Sequence, residues 1–478
     1  MKKNIIFFIS IIYCNLLTAA EYPNSWKMDI FCKQGGAEWY ESAFVVDVND
    51  NNFSFGPYDK SRDKNYKWKG KIDGEKIKVS ASWSWPFQSP ARMTYTGKFI
   101  NENEAILKGR YTDAPTPWDC SGRFYKVDRA PHFSKLKYLD NATEEIIKFT
   151  SYNPGIPLTI IDGSYKNSPV DISGKLILPK EGENLPVVVT IHSSAGPSEF
   201  NSPTESWRDN FKNELLKNKI GIFEIDSFTG RGSKNTYSNQ GKVSINAGEM
   251  DALVAYNILD KHPRVDAKRL GVTGLSRGGN ASMMTVEKKF SDAVLGSNNY
   301  YKASLPMASD CFNLIFENPT PTPAKVLFLL GADDDYALAK FCVAYAEKMK
   351  KAGGDVEIIS KKNWHHAFYT DNPIVNCKDC VHFNQCQIHL PEGVMLDDEG
   401  FFSESQYSTF KKVFKVDMNK WKTKFEKNSG KPGAANKLYK KLYVKWYKKC
   451  GERGTTVGGD HGQETVGIAI PFFVENLK

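Results

Sequence analysis

The chain has 478 residues, a net charge of +9 and 41% hydrophobic residues. That length exceeds what a single core ordinarily organises, so two or three domains are expected. Beyond the N-terminus no apolar run approaches the ~20 residues of a membrane span, which excludes a multi-span helical membrane protein.

Residues 1–20 have the form of a secretory signal peptide. Lys2 and Lys3 make a charged start, Ile5 to Leu17 an apolar core too short to span a bilayer, and Thr18-Ala19-Ala20 a small-residue cleavage site. The mature protein is therefore expected to be secreted or periplasmic. Of nine cysteines, Cys14 falls in this segment. The eight that remain are an even number, which in an oxidising compartment points to disulfides.

Residues 21–127 read as a small all-β domain. Alternation of apolar and polar residues is clear in 43–48 and 76–80. A glycine, a basic residue and a large apolar residue recur at Gly70-Lys71-Ile72, Gly97-Lys98-Phe99, Gly109-Arg110-Tyr111 and Gly122-Arg123-Phe124. Glycines inside strands mark bends or bulges of the kind found in small barrels. The basic residues are expected on a solvated face. Cys32 and Cys120 stand near the two ends of the segment, where a bridge would close the sheet. Trp83, Trp85 and Phe87 fit either a ligand groove or core packing. The polar, irregular residues 128–145 read as a linker.

From 146 to 372 strands and helices alternate, the pattern of a doubly wound α/β domain with a mostly parallel sheet. Strands are expected over 171–179, 187–192, 221–226, 325–331 and 356–360, and helices over 204–218 and 247–262. Gly274-Leu275-Ser276-Arg277-Gly278 follows a short apolar run, 269–273, and precedes good helix formers, 280–286. That is the strand–turn–helix setting of a nucleophile elbow, which exposes the serine hydroxyl at a helix N-terminus. Downstream, Asp333, Asp334 and Asp335 follow one buried strand, and His365 and His366 follow the next. An acid there orients an imidazole, and the imidazole takes the serine proton. His366 is expected as the base and His365 as structural. Backbone donors for a tetrahedral intermediate are expected from Arg277 N–H and from Ser194 N–H, with Ser193 as the fallback. His192 is expected to be a structural, satisfied histidine.

Gly274 to Gly279, Asp226 to Gly232, Gly331 to Asp335 and His366-Ala367-Phe368 together resemble the dienelactone hydrolase family of the α/β-hydrolase superfamily. The resemblance covers roughly 165–372, with an echo from Gly451 to the end. It implies an α/β-hydrolase fold and hydrolysis of a small-molecule ester or lactone without metal or other cofactor. Carried over position by position, it makes Ser276 the nucleophile, Asp334 the acid and His366 the base. Founding members use cysteine as nucleophile; the serine here points to a general carboxylesterase. Two other readings share parts of the pattern. A serine peptidase of prolyl-oligopeptidase type has the same elbow and triad order, but nothing resembling its propeller precedes the domain. A non-catalytic hydrolase-like binding protein would not need an intact Ser, Asp and His set. Cys311 and Cys342 flank the strand that delivers Asp334, so a bridge between them would brace the acid loop.

After His366 come 112 residues, more than a minimal hydrolase needs. Residues 373–453 are expected as a Cys-rich, basic helical insertion or cap, and 454–478 as the C-terminal helix of the hydrolase domain. Cys377, Cys380, Cys386 and Cys450 are expected as disulfides, because the second Cys-x-x-Cys pair of a structural zinc site is missing. One amphipathic helix carries Tyr407, Phe410, Phe414, Met418, Trp421 and Phe425; a second carries Leu438, Leu442 and Trp446. Residues 411–453 hold a local charge of +12, leaving −3 for the rest of the chain. This charge fits a solvated outer face on a helical cap, or contact with an anionic surface such as an envelope or polyanion. Nucleic acid is not expected as a partner of an exported enzyme.

Overall fold

The computed structural model describes residues 26–34, 37–49, 51–56, 66–83, 91–102, 104–111, 118–126 and 138–478, apart from 202–205, 371, 373, 429, 430, 432 and 460. Residues 1–20, expected as a signal peptide, residues 128–137, Trp85 and Phe87 lie outside the described residues, as does the side chain of Trp83. The chain divides into two units, Met1–Phe133 and Ser134–Lys478.

The first unit is a closed antiparallel barrel of eight strands. They are β1 (Trp26–Gln34), β2 (Ala37–Asn49), β3 (Asn52–Gly56), β4 (Tyr66–Asp73), β5 (Lys76–Trp83), β6 (Ala91–Asn101), β7 (Glu104–Tyr111) and β8 (Trp118–Lys126). Each strand pairs with the next, and β8 returns to β1. Cys32 and Cys120 stand directly opposite in that closing pair and form a disulfide. Alternation puts Ile30, Trp68, Val79, Tyr95, Leu107 and Phe124 inside, as the period of two requires. Two of the recurrent glycines let aromatic rings lie on the backbone. A Cβ on Gly70 would stand 2.0 Å from the Phe53 ring, and one on Gly109 2.4 Å from the Tyr95 ring. Lys71, Lys98, Arg110 and Arg123, which follow the glycines, are exposed.

The second unit is built on an eight-stranded sheet. Its strands are β9 (Thr143–Tyr152), β10 (Pro169–Leu178), β11 (Leu185–Ile191), β12 (Gly221–Asp226), β13 (Val265–Leu275), β14 (Ala303–Met307), β16 (Lys325–Gly331) and β17 (Asp355–Lys361), with β15 (Asn313–Phe316) in a side pair. The order across the sheet is β17-β16-β14-β13-β11-β12-β10-β9. From β12 to β17 neighbours run parallel; β10 is antiparallel to both β9 and β12. This mostly parallel, doubly wound sheet is the α/β-hydrolase fold. One reading of the sequence is corrected, and one strand was missed. Residues 138–145 are not a free linker: Tyr138–Asn141 form a 3-10 turn and Thr143 opens β9. The short, fully buried β14 was not anticipated, because its five residues include Pro306 and carry no alternation.

Helices cover both faces. They are α1 (Ser206–Lys217), α2 (Ala247–Leu259), α3 (Arg277–Met284), α4 (Lys288–Leu295), α5 (Ala339–Lys351), α6 (Tyr407–Val413), α7 (Met418–Asn428), α8 (Ala434–Cys450) and α9 (Gly462–Leu477). α1 and α9 pack in one core cluster, around Trp207, Phe211, Val466 and Phe473. α2, α4, α5 and the aromatics of residues 401–446 share the cluster on the other face. Arg231 anchors the stretch after β12 with a bidentate pair to buried Asp251 of α2, at 2.7 and 2.8 Å. The amphipathic run from Tyr407 to Phe425 is two helices, not one. Lys415 takes φ 54°, a left-handed geometry that ends α6. Asp417 then caps α7 by accepting from Lys420 N–H at 3.2 Å.

Residues 373–453 contribute the short strands β18 (Val375–Asn376), β19 (Val381–His382), β20 (Val394–Leu396) and β21 (Glu452–Arg453), together with α6 to α8; β22 (Thr456–Val457), just beyond them, pairs with β18. All eight cysteines among the described residues are paired: Cys32–Cys120, Cys311–Cys342, Cys377–Cys380 and Cys386–Cys450. Among the described residues no helix is long and apolar enough to cross a membrane.

Candidate active site

β13 ends at Leu275 and α3 begins at Arg277, so Ser276 alone carries the turn. Its backbone takes φ 53° and ψ −114°, a geometry that costs a non-glycine residue about 1–3 kcal/mol. The surroundings enforce it. Ser276 N–H donates to Met307 O at 2.8 Å. A Cβ on Gly274 would stand 2.1 Å from Gly278 O, and one on Gly278 2.2 Å from Ile191 O. Only glycine permits this approach on either side of the serine.

The loops after β16 and β17 are held together because their strands are parallel neighbours. A Cβ on Gly331 would stand 2.3 Å from Trp364 O, so the two loops touch backbone to backbone. This brings Asp334 and His366 to Ser276. Ser276 Oγ donates to His366 Nε2 at 2.8 Å, and His366 Nδ1 donates to Asp334 Oδ2 at 2.7 Å. The other oxygen, Asp334 Oδ1, accepts the N–H groups of Tyr336 and Ala337, both at 2.8 Å. Asp334 and His366 are buried. The neighbouring aspartates are engaged elsewhere. Asp333 accepts from Asn363 N–H at 2.6 Å. Asp335 accepts from Thr455 Oγ1 at 2.5 Å, and from Thr456 N–H and Oγ1 at 2.9 Å each. His365 bonds Asp333 O at 3.0 Å and is half-buried.

The loop after β11 supplies a donor of the expected kind. Ser193 N–H is taken by Glu199 at 2.7 Å, Ala195 N–H by Ser193 Oγ at 3.1 Å and Gly196 N–H by Ser193 O at 3.2 Å. Among the described residues Ser194 N–H and Arg277 N–H have no acceptor, and both residues line the cavity that holds Ser276 and His366. Ser193 is therefore not available as the fallback. His192 is satisfied: Nδ1 bonds Ser193 O at 2.8 Å and Nε2 accepts Ser227 N–H at 3.2 Å. Burial lowers its pKa to about 4, so it is neutral at pH 7.

Gln240 ties the site together, and sequence reasoning missed it. Its Oε1 accepts from Ser194 Oγ at 3.0 Å and Arg277 Nη1 at 3.2 Å, while Nε2 donates to Tyr336 OH at 3.0 Å. The Tyr336 ring lies 4.5 Å from the His366 ring. Burial raises the Tyr336 hydroxyl to about 12, so it stays protonated. The Arg277 side chain is buried against the carbonyls of Val243 and Ser244. Burial lowers it to about 10, which leaves it charged at neutral pH. Asp310 also lines the cavity, where burial pushes its carboxyl above the usual range. Gln240 opens a short 3-10 turn in a polar stretch, and Tyr336 and Asp310 follow strand ends, so no spacing marks them.

The cavity has a volume of about 130 Å³. Its outer wall comes from the insertion: Phe383, Phe402, Phe410, Tyr443 and Trp446 among others. Trp446 stacks on Phe414 with centroids 4.6 Å apart. Cys386–Cys450 ties the end of α8 to the turn that carries Phe383. Among the described residues no group of three or more His, Cys, Asp or Glu side chains is placed to hold a metal ion. The arrangement is one that can activate a serine hydroxyl and hold an oxyanion, in a cavity walled on one side by aromatic side chains.

The sheet order, the elbow and the chain order Ser, Asp, His define an α/β-hydrolase architecture. No family model matches the chain, and no curated protein matches it. Among solved structures it is similar to a dienelactone hydrolase from Klebsiella pneumoniae, with 17% identity over 47% of this chain and 89% of that one and a TM-score of 0.33. A dienelactone hydrolase-like promiscuous phosphotriesterase from metagenomic libraries aligns at 13% identity, over 47% of this chain and 84% of its own, with a TM-score of 0.32. A Thermogutta terrifontis esterase aligns at 15% identity, over 42% and 80%, with a TM-score of 0.32.

Proposed function

We propose that the protein is a serine hydrolase of carboxylic esters or lactones, working through an acyl-enzyme. The observation that carries this reading is the unbroken hydrogen-bond chain from Ser276 Oγ through His366 to Asp334, at 2.8 and 2.7 Å. His366 takes the serine proton as Ser276 Oγ attacks the ester carbonyl, and returns it to the leaving alcohol. Asp334 holds the Nδ1–H tautomer and stabilises the imidazolium. Ser194 N–H and Arg277 N–H receive the oxyanion. Water, deprotonated by His366, then releases the acid. The aromatic wall favours an apolar acyl or alcohol group. Residues 373–453 act as the cap and 454–478 complete the hydrolase domain. The mature chain, after removal of 1–20, works outside the cytoplasm; four disulfides suit an oxidising compartment. The test is turnover of p-nitrophenyl esters of graded acyl length. Ser276→Ala should lose at least about 10³-fold in kcat and all labelling by a fluorophosphonate. Full-stoichiometry labelling of that variant would exclude Ser276 as nucleophile.

A further inference from the structure

α8 has two faces with different tasks. Tyr439, Leu442, Tyr443 and Trp446, spaced three and four apart, face the cavity. The opposite side carries Lys437, Lys440, Lys441, Lys445, Lys448 and Lys449, all exposed. The helix contains no acidic residue, and among the described residues none of these six lysines forms an ion pair. Lys437–Lys441, Lys441–Lys445 and Lys445–Lys449 are like-charge pairs at i,i+4, which repel one another. A solvated helix face needs no such crowding, since alternating signs would serve it better. From Lys437 to Lys448 the row runs about 16 Å. α6 and α7 add exposed Lys411, Lys412, Lys424 and Lys427 to the same insertion.

We propose that this cationic face of α8 docks an anionic polysaccharide that bears the ester to be cleaved. The substrate half of the proposal rests on the ester-hydrolase reading above. Charge complementarity calls for a polyanion, and the chemistry of the site calls for one that carries carboxylic esters. Partly esterified acidic polysaccharides meet both requirements; the backbone of a nucleic acid is linked by phosphodiesters, not carboxylic esters. A lipid surface fits less well. Membrane-binding helices insert apolar side chains, whereas the apolar face of α8 lines the cavity. Val444 is the one large hydrophobic side chain among the described residues of 407–450 that is exposed. One helix thus carries both the cationic docking face and part of the wall of the cavity that holds Ser276.

The test compares the full mature chain with a variant carrying Lys437→Gln, Lys441→Gln, Lys445→Gln and Lys448→Gln, and with a Lys→Arg version of the same four positions. Three readouts are taken: retention on immobilised polygalacturonate, deacetylation of O-acetylated polygalacturonate at 50 and 500 mM NaCl, and turnover of p-nitrophenyl acetate. The wild type should lose about 10-fold or more of polymer turnover at the higher salt. At low salt the Gln variant should fall about 10-fold on the polymer and lose retention, with p-nitrophenyl acetate turnover unchanged; the Arg version should match the wild type. Polymer turnover and retention unaffected by Lys→Gln would overturn the proposal. So would lysine-dependent binding confined to phosphatidylserine vesicles or to duplex DNA. Lysine-dependent retention in a protein that cleaves neither small nor polymeric esters would refute the ester-hydrolase reading and leave the docking surface standing.

Discussion

At the scale of single residues, three consecutive aspartates have three separate tasks. Asp334 turns back to His366, Asp333 stitches the loop to Asn363, and Asp335 grips Thr455 and Thr456 of the strand beside His366. The expected outcomes of conversion to Asn separate accordingly. Asp334→Asn leaves the imidazole free to take the wrong tautomer and should cost up to about 10⁴-fold in kcat. Asp333→Asn keeps an acceptor for Asn363 N–H and should stay within a few-fold of wild type. Asp335→Asn should act through the Thr455-Thr456 segment that follows the insertion, raising KM more than it lowers kcat. Steady-state kinetics of the three variants, each with its melting temperature, checks the assignment. A dead Asp333→Asn with an active Asp334→Asn would redraw the triad.

At the scale of elements, α9 is joined to the histidine loop at its first turn. His461 N–H donates to Phe368 O at 2.9 Å, and the His461 ring stacks on Trp364 at 5.2 Å. Glu464 bonds His461 at 3.4 Å and pairs with Lys361 at the end of β17. It also lies in the first turn of a helix, where a negative charge is favoured. The hydrogen bond to His461, with help from Lys361, lowers the Glu464 carboxyl from 4.5 to about 2. The folded state thus binds the proton more weakly than the unfolded one. The stabilisation is complete above 4.5 and fades as pH falls toward about 2. Because the pair is partly exposed, it is worth at most about 1 kcal/mol. Glu464→Gln should lower the melting temperature at pH 7 by a few degrees, and the gap should close across that acid window. Thermal scans from pH 7 to pH 2 measure it; a gap independent of pH would remove the electrostatic cause.

At the scale of the whole molecule, the barrel and the hydrolase unit each have a core of their own. The Cys32–Cys120 bridge closes a span of 88 residues and joins the first strand of the barrel to the last. Its loss removes a constraint on the unfolded chain worth about 2–5 kcal/mol. A double variant, Cys32→Ala with Cys120→Ala, should therefore melt its barrel at lower temperature while p-nitrophenyl ester turnover at 25 °C is retained. Calorimetry beside activity reads both outcomes. A parallel fall in turnover would show that the catalytic unit depends on the barrel.

The α/β fold, the all-β unit and the elbow at Ser276 were legible in the sequence, because each rests on local signals. Buried parallel strands are continuous apolar runs, half-buried strands alternate, and a strained turn demands glycines at fixed offsets. The break at Lys415 and Asp417 was also local, yet the unbroken apolar spacing on either side masked it. What only the tertiary structure decided is which groups meet across long separations. Gln240, Tyr336 and Asp310 come from three loops, and Tyr443 from a helix some two hundred residues further along than Gln240, yet all line one cavity. The pairing of Cys377 with Cys380 and of Cys386 with Cys450 was likewise open, since four cysteines allow three connectivities. Periodicity reports which face of an element is buried; it carries no record of what that face is buried against. That depends on the sheet order and on where the insertion folds back, and so the wall of the site became readable only once the chain was folded.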